Sequence, residues 1–456
     1  MSYKNLQYVA VFTLIFLSVF WQYTGQGMFM DGLIYASISR NLANSIGDFF
    51  APFYIDSFES NLSLTYFIQS LFFSIFGDYF WVEKLHNALF LIFNAILIHG
   101  IFKIHHKSNV LPIFIWWITP IIPWIFTNNM MEITVSLFFL MSLFFFLKYH
   151  ESYEKKHLIL YLLATLLASY SKAFVGFFPI IYPLIHHITY RNKTTVNFLK
   201  EYFLILTFLG LFFLAVFTYE PSWIQWKGII AYQLHSNDLV TNSFWMSKLH
   251  FIKEILAGFW PQALIILMLL IIKKQKKYSF SVQKETQFFG ILFLCSILPF
   301  SIFKKFFGFY LAISAPFLAL GLASFMLQFK PLIENQFSIP INKKALFIFL
   351  LALNLIGFCI AFYHFGAINR DKNWIEDTQF IASKINSNAN SYLNLSPDYG
   401  YDFYAQAYLA RAIPQEIRMY TADTTSNFKG YYISKNSLSP NAIKSPQGLY
   451  YLNSHP

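Results

Sequence analysis

Again and again this chain runs apolar for about 20 residues and then stops at Lys, Arg, His or Asn. A run of that length suits a helix crossing a bilayer, where every backbone N–H and C=O has to be satisfied within the segment itself. The runs are residues 6–24, 80–104, 110–127, 131–149, 157–170, 174–189, 198–219, 252–272, 286–303, 306–329 and 345–365. They predict about eleven transmembrane helices and an all-α polytopic membrane protein. With 56% hydrophobic residues and only 12% charged, the 456 residues carry more apolar surface than soluble cores of this size could bury. The first run is too long for a secretory signal, and Gly25-Gln26-Gly27 is a poor cleavage site, so it reads as an uncleaved span.

Basic residues set the expected orientation. With the N-terminus inside, the inner loops hold 17 Lys or Arg and the outer loops hold 8 (Arg40, Lys84, Lys172, Lys227, Lys248, Lys253, Lys304 and Lys305). This places the C-terminus outside, in a bacterial inner or plasma membrane. The net charge of +11 is then explained by inner-loop lysines facing anionic lipid, and nucleic acid is not implied. Cys295 and Cys359 both fall within apolar runs, which excludes a disulfide framework and a thiolate metal site on the water side. No Gly-rich phosphate loop, His-Glu-x-x-His pattern or Cys-x-x-Cys pair is present.

Most of the remaining sequence falls on the outer side. Asp31, the first acidic residue of the chain, lies directly behind the first span, where a carboxylate is costly to keep unless something uses it. Residues 33–43 and 62–76 have apolar positions at helical spacing and suit helices lying in the interface, the second stopped by Gly77-Asp78. These helices bring Asp31 and Glu59 to one water–lipid boundary. After residue 365 the composition turns polar and Tyr-rich. Helix-like stretches at 374–385 and 401–412 alternate with strand-like ones at 391–395, 416–421, 430–434 and 448–452. The expected organisation is a transmembrane domain, 1–365, and a small C-terminal α/β outer domain, 366–456.

Several short motifs in this order resemble the membrane-embedded glycosyltransferases of the C-type fold. The match is to the bacterial protein-mannosyltransferase-like and aminoarabinose-transferase-like members that use polyprenyl-phosphate sugars. Asp31-Gly32-Leu33-Ile34-Tyr35-Ala36 is similar to that family's acidic pair followed by Tyr-Ala, with Gly32 in place of the second acid. Glu59-Ser60-Asn61-Leu62 is similar to the stretch before Pro-Pro-Leu, without the prolines. Phe76-Gly77, Trp81 and Lys84-Leu85 resemble the entry to the second span. Glu132 matches an acidic position, Ser171-Lys172 a Ser/Thr-Lys hairpin, and Lys304-Lys305, Tyr310-Leu311 and Ala315-Pro316 a Lys-then-Tyr-Leu-then-Pro pattern.

The resemblance implies transfer of a sugar from a lipid-phosphate donor to a glycolipid, surface glycan or protein. Such chemistry needs a base for the acceptor and positive charge for the departing phosphate. Asp31 is the expected base, and a single displacement by one base inverts the anomeric centre. Glu59 and Glu132 are candidates for acceptor positioning or for holding a divalent cation. Lys172, Lys304, Lys305 and Arg40 are candidates for the donor phosphate, with Tyr35, His235 and Tyr310 as weaker site candidates. Each has a plainer reading: a loop Asp, interfacial carboxylates, and basic residues snorkelling at helix ends. A lipid-linked glycan transporter or flippase, a pyrophosphate-using ligase of the O-antigen type and a non-catalytic scaffold are the competing functions. A transporter would favour internal repeats and mid-membrane ionisable groups, whereas the acids here gather at the outer boundary.

Overall fold

The computed structural model describes residues 3–54, 62–107, 109–191, 194–238, 244–275, 281–301, 306–329, 343–385, 392–396, 402–413, 418–421, 430–435, 437 and 442–455. Glu59, Lys304, Lys305 and the side chain of His235 lie outside them.

The chain opens with α1 (Tyr3–Tyr23) and two shorter helices, α2 (Met30–Ala43) and α3 (Leu64–Phe76). After α4 (Val82–His105) come two half-length helices, α5 (Leu111–Trp117) and α6 (Ile121–Thr127). α7 (Glu132–Ser152) and α8 (Lys155–Lys172) pack along each other, and a 3-10 segment, Ala173–Ile181, carries the chain into α9 (Tyr182–Tyr190). α10 (Thr195–Phe217), α11 (Glu220–Asp238), α12 (Phe244–Gln275) and α13 (Lys284–Ile297) follow. A second 3-10 segment, Gly308–Ile313, leads into α14 (Ala315–Leu327), and α15 (Lys343–Tyr363) packs back against α1.

Among the described residues, seven stretches are long and apolar enough to cross a bilayer, and the chain is an integral membrane protein. They account for eight of the eleven expected spans, because Lys155–Tyr190 holds two. The other three are segmented, and proline is the physical reason. Pro120 is the N-cap of α6 and separates it from α5; Pro299 follows the end of α13; Pro316 sits in the first turn of α14 behind its 3-10 lead. A ring that supplies no N–H and clashes with the preceding turn divides a helix at these points.

α7 lies at the centre. Its sequence has no polar face, and two thirds of its apolar window is buried by neighbouring helices. Where lipid tails and side chains are equally apolar, interhelical hydrogen bonds add to the packing. Ser136 of α7 donates to Asn94 of α4 at 3.0 Å, Gln262 of α12 to Thr119 at 2.7 Å, and Asn354 of α15 to Thr13 of α1 at 2.6 Å.

The C-terminal residues form α16 (Lys372–Lys384), β1 (Tyr392–Leu395), α17 (Phe403–Ala412), β2 (Arg418–Thr421), β3 (Gly430–Ser434), β4 (Ile443–Lys444) and β5 (Tyr451–His455). The strands make one sheet in the order β2-β1-β3-β5-β4, with β1 parallel to both its neighbours and β5 antiparallel to both of its own. Ile381, Leu393, Leu395, Leu409, Ile433 and Leu452 fill its core.

This unit rests on the start of α2. Gln26 pairs with the 366–369 backbone through the bond from its N–H to the Ala367 carbonyl at 2.8 Å and the bond from the Asn369 N–H to its carbonyl at 3.2 Å. Gly27 has φ +96°, and a Cβ there would meet the Arg370 carbonyl, so glycine is required for this approach. Met28 and Leu33 then pack with Ile375, Ala407 and Tyr408.

Candidate functional site

Asp31 lies in the first turn of α2, partly buried, at the positive end of that helix. One turn on and on the same face is Tyr35, whose ring stands 5.5 Å from that of Tyr66. The hydroxyl of Tyr35 is pushed well above its ordinary value, first by burial and then by the negative charges and phenols around it, Asp31, Tyr66, Glu132 and Tyr310. Five of these groups therefore share one neighbourhood although they come from four separate parts of the chain.

Glu132 and Lys172 reach it from the α7–α8 pair. Glu132 opens α7 and Lys172 closes α8, so antiparallel packing puts them at one end. The Lys172 ammonium donates to Oε1 of Glu132 and sits 4.3 Å from the centre of the Tyr310 ring, a cation–π contact. The Glu132 carboxylate is almost fully enclosed, and its Oε2 has no hydrogen-bond partner among the described residues. Tyr310 comes from the 3-10 segment before α14.

A buried amide turn fixes the distance between α2 and α7. Asn128 Oδ1 accepts from the Phe29 N–H at 2.7 Å and so caps α2 from a different helix. Asn129, at φ 56°, donates to the Gly32 carbonyl at 2.8 Å. Gly32 lies so close that a Cβ would overlap the Asn128 carbonyl oxygen. Three residues after Asn129 the chain reaches Glu132, so one short turn couples both carboxylate-bearing helices. Behind it, Lys84 holds the 22–27 segment by donating to the carbonyls of Gln22, Gly25 and Gly27 at 2.9, 3.0 and 3.0 Å.

Arg40 is placed elsewhere. Its buried guanidinium donates to Asp78 at 2.7 Å and to Glu83 at 2.9 Å, and Arg411 of α17 donates to the same Glu83 oxygen. His235 belongs to α11. Among the described residues, no group of three His, Cys, Asp or Glu gathers as a metal site.

The C-terminal unit adds residues that sequence reasoning missed. Tyr404 of α17 approaches the Met30 backbone, and its hydroxyl is raised by burial, against the Arg370 guanidinium and with the charges of Asp371 and Asp31. Arg370 donates to Tyr404 at 3.0 Å and to Asn128 at 3.2 Å, and lies 5.8 Å from the Phe29 ring. The signal for Asn128-Asn129 was available as a polar pair inside an apolar stretch just ahead of Glu132. Nothing local marks Arg370 or Tyr404, which meet α2 across more than 300 residues.

No protein-family model matches the sequence, and no curated protein matches it. Solved structures do. ArnT from Cupriavidus metallidurans, in the apo state and bound to undecaprenyl phosphate, superimposes with a TM-score of 0.66 at 14% identity, over 98% of this chain and 97% of that one. The chain has the C-type fold of the aminoarabinose transferase.

Proposed function

We propose that this chain is a membrane glycosyltransferase that moves a sugar from a polyprenyl-phosphate donor to an acceptor at the outer face of the membrane. The observation that carries the reading is the meeting of Asp31 with the Glu132–Lys172 pair, Tyr35 and Tyr310 at one end of the membrane helices. The likeness of the whole chain to a transferase structure that binds undecaprenyl phosphate supports it. So does the excess of inner-loop Lys and Arg, which puts this end of the helices outside and the N-terminus inside.

In this reading Asp31 is the general base. The acceptor hydroxyl gives its proton to the carboxylate as its oxygen bonds to the anomeric carbon. The bond from that carbon to the phosphate oxygen breaks, and its electron pair leaves with the polyprenyl phosphate. One displacement inverts the centre. Lys172 stabilises the leaving phosphate, with Lys304 and Lys305 as further cations; Glu132 sets the ammonium in place, and Tyr35 and Tyr310 wall the chamber. Glu59 keeps its proposed part in acceptor positioning.

Asp31→Asn tests the assignment. With expression and membrane insertion equal to wild type, sugar transfer in membranes falls by about 10²- to 10⁴-fold, the usual worth of a positioned base. Normal turnover would remove Asp31 from the chemistry.

A further inference from the structure

Where the C-terminal unit meets the membrane helices lies an opening whose lining includes none of Asp31, Glu132 and Lys172. It is a cleft of about 460 Å³ whose lining includes the apolar Ile375, Ala382 and Ala412 and the polar Glu83, Arg411 and Gln379. That size falls within the range of small-molecule pockets, about 300–1,000 Å³. We propose that this cleft is a carbohydrate subsite, which holds the sugar portion of the acceptor next to the residue being modified. The proposal rests on the transferase reading and deepens it.

The chemistry of the walls selects the class of ligand. Glu83 has one oxygen taken by both Arg40 and Arg411, and no described residue bonds its other oxygen. Arg411 uses a single nitrogen on Glu83, which leaves the rest of its fork without a partner among the described residues. Gln379 is exposed and brings an amide that both donates and accepts. An anion would meet the Glu83 carboxylate, and a cation would meet Arg411. A neutral molecule whose groups both donate and accept satisfies the two together, and hydroxyls do so. The apolar part of the lining suits the C–H face of a sugar ring. A lipid tail would leave the charged edge unsatisfied.

Position supports the same assignment. Tyr404, Tyr408 and Arg411 are spaced at i, i+4 and i+7 along one face of α17. Tyr404 stands at the Asp31 end and Arg411 in the cleft, so the Arg411 side of the cleft lies about 10 Å, two helical turns, along α17 from that end. That is a span for an adjacent ring of a glycan whose reacting hydroxyl is at Asp31. Gln26 and Gly27 line the cleft only four or five residues before Asp31, so the same segment serves both.

The test uses the full-length protein in lipid nanodiscs. The probes are the methyl glycosides of glucose, mannose, galactose and N-acetylglucosamine, followed by saturation-transfer NMR. Gln379→Trp fills the cleft from an exposed position and leaves thermal unfolding unchanged. At least one glycoside binds the wild type and Asp31→Asn alike, and Gln379→Trp weakens that binding at least tenfold. Absence of binding by all four glycosides, or equal binding to Gln379→Trp, would overturn the proposal. Glycoside binding that Gln379→Trp removes, in a protein whose wild type transfers no sugar, would instead overturn the transferase reading and keep the subsite.

Discussion

Gly32→Ala places one methyl group between α2 and the Asn128-Asn129 turn. The new Cβ would overlap the Asn128 carbonyl oxygen and stand 3.0 Å from its carbon and 3.1 Å from the Asn129 Cβ, where ordinary contact begins at 3.4 Å. The obstacle is backbone, which cannot rotate away as a side-chain tip would. α2 has to retreat, by about 1 Å, and Asp31 in the adjacent position retreats with it. A displacement of that size can cost about 100-fold in rate, which corresponds to about 2.7 kcal/mol of barrier at 1.36 kcal/mol per tenfold. Stability moves less. Alanine favours the helix by about 0.5–1 kcal/mol over glycine, while the forced overlap costs about 1–3 kcal/mol. The assay is release of polyprenyl phosphate from a radiolabelled polyprenyl-phosphate sugar in native membranes that carry the acceptor, with protein levels matched by immunoblot. Turnover within threefold of wild type, in folded protein, would refute the argument that this contact sets the position of the proposed base.

Four further outcomes follow from other contacts. Lys172→Met strands the enclosed Glu132 carboxylate and lowers stability by about 3–5 kcal/mol; adding Glu132→Gln restores the thermal transition in detergent and leaves transfer absent. Arg40→Met removes both charge-assisted bonds to Asp78 and Glu83, so the transition midpoint drops, whereas Arg40→Lys loses only part of that stability. Asp377, fully buried in α16, accepts from Ser445 Oγ at 2.6 Å, Gln447 N at 2.6 Å and Leu449 N at 3.0 Å; Asp377→Ala costs about 3 kcal/mol, read as protease cleavage near β5 while the membrane helices stay intact. In the double variant Lys304→Met/Lys305→Met the KM for donor rises about tenfold, a loss of about 1.4 kcal/mol, and the KM for acceptor stays constant.

Hydrophobic periodicity located the helices well because a bilayer leaves so few alternatives. The helices expected at 33–43 and 62–76 have counterparts in α2 (Met30–Ala43) and α3 (Leu64–Phe76), with Gly77 at φ 83° as the predicted stop. The expected strands have counterparts in β1, β2, β3 and β5, while β4 was missed because two exposed residues give no alternation to read. Continuity of the spans at 110–127, 286–303 and 306–329 was overestimated, since hydropathy does not register the N–H that proline lacks. In the proposed site, Asp31, Glu132 and Lys172 were visible because ionisable groups beside apolar spans are conspicuous in sequence. Arg40 was equally conspicuous, but its partners, Asp78 and Glu83, depend on how α2 packs against α3 and α4. Lys84 stood out only as part of the Lys84-Leu85 motif, and the fold shows what it does there, with three carbonyls closing on it.

The proposed reaction sets a charge requirement around Glu132 and Lys172. Replacing a buried ion pair by apolar residues often stabilises a protein, and α7 and α8 already pack through leucine and aromatic side chains, so cohesion does not explain Glu132 and Lys172. The Lys172 ammonium is already paired with the Glu132 carboxylate. In the proposed reaction a lipid phosphate beside that pair adds a negative charge, and in a partly desolvated space it demands another cation. Arg370 is near, but it is bonded to Asp371 at 3.1 Å, which cancels much of its field. The chain has Lys304 and Lys305 six and five residues before Tyr310, the ring on which the Lys172 ammonium rests. Positive charge delivered from that connection is what would let one chamber hold a carboxylate base and an anionic leaving group together.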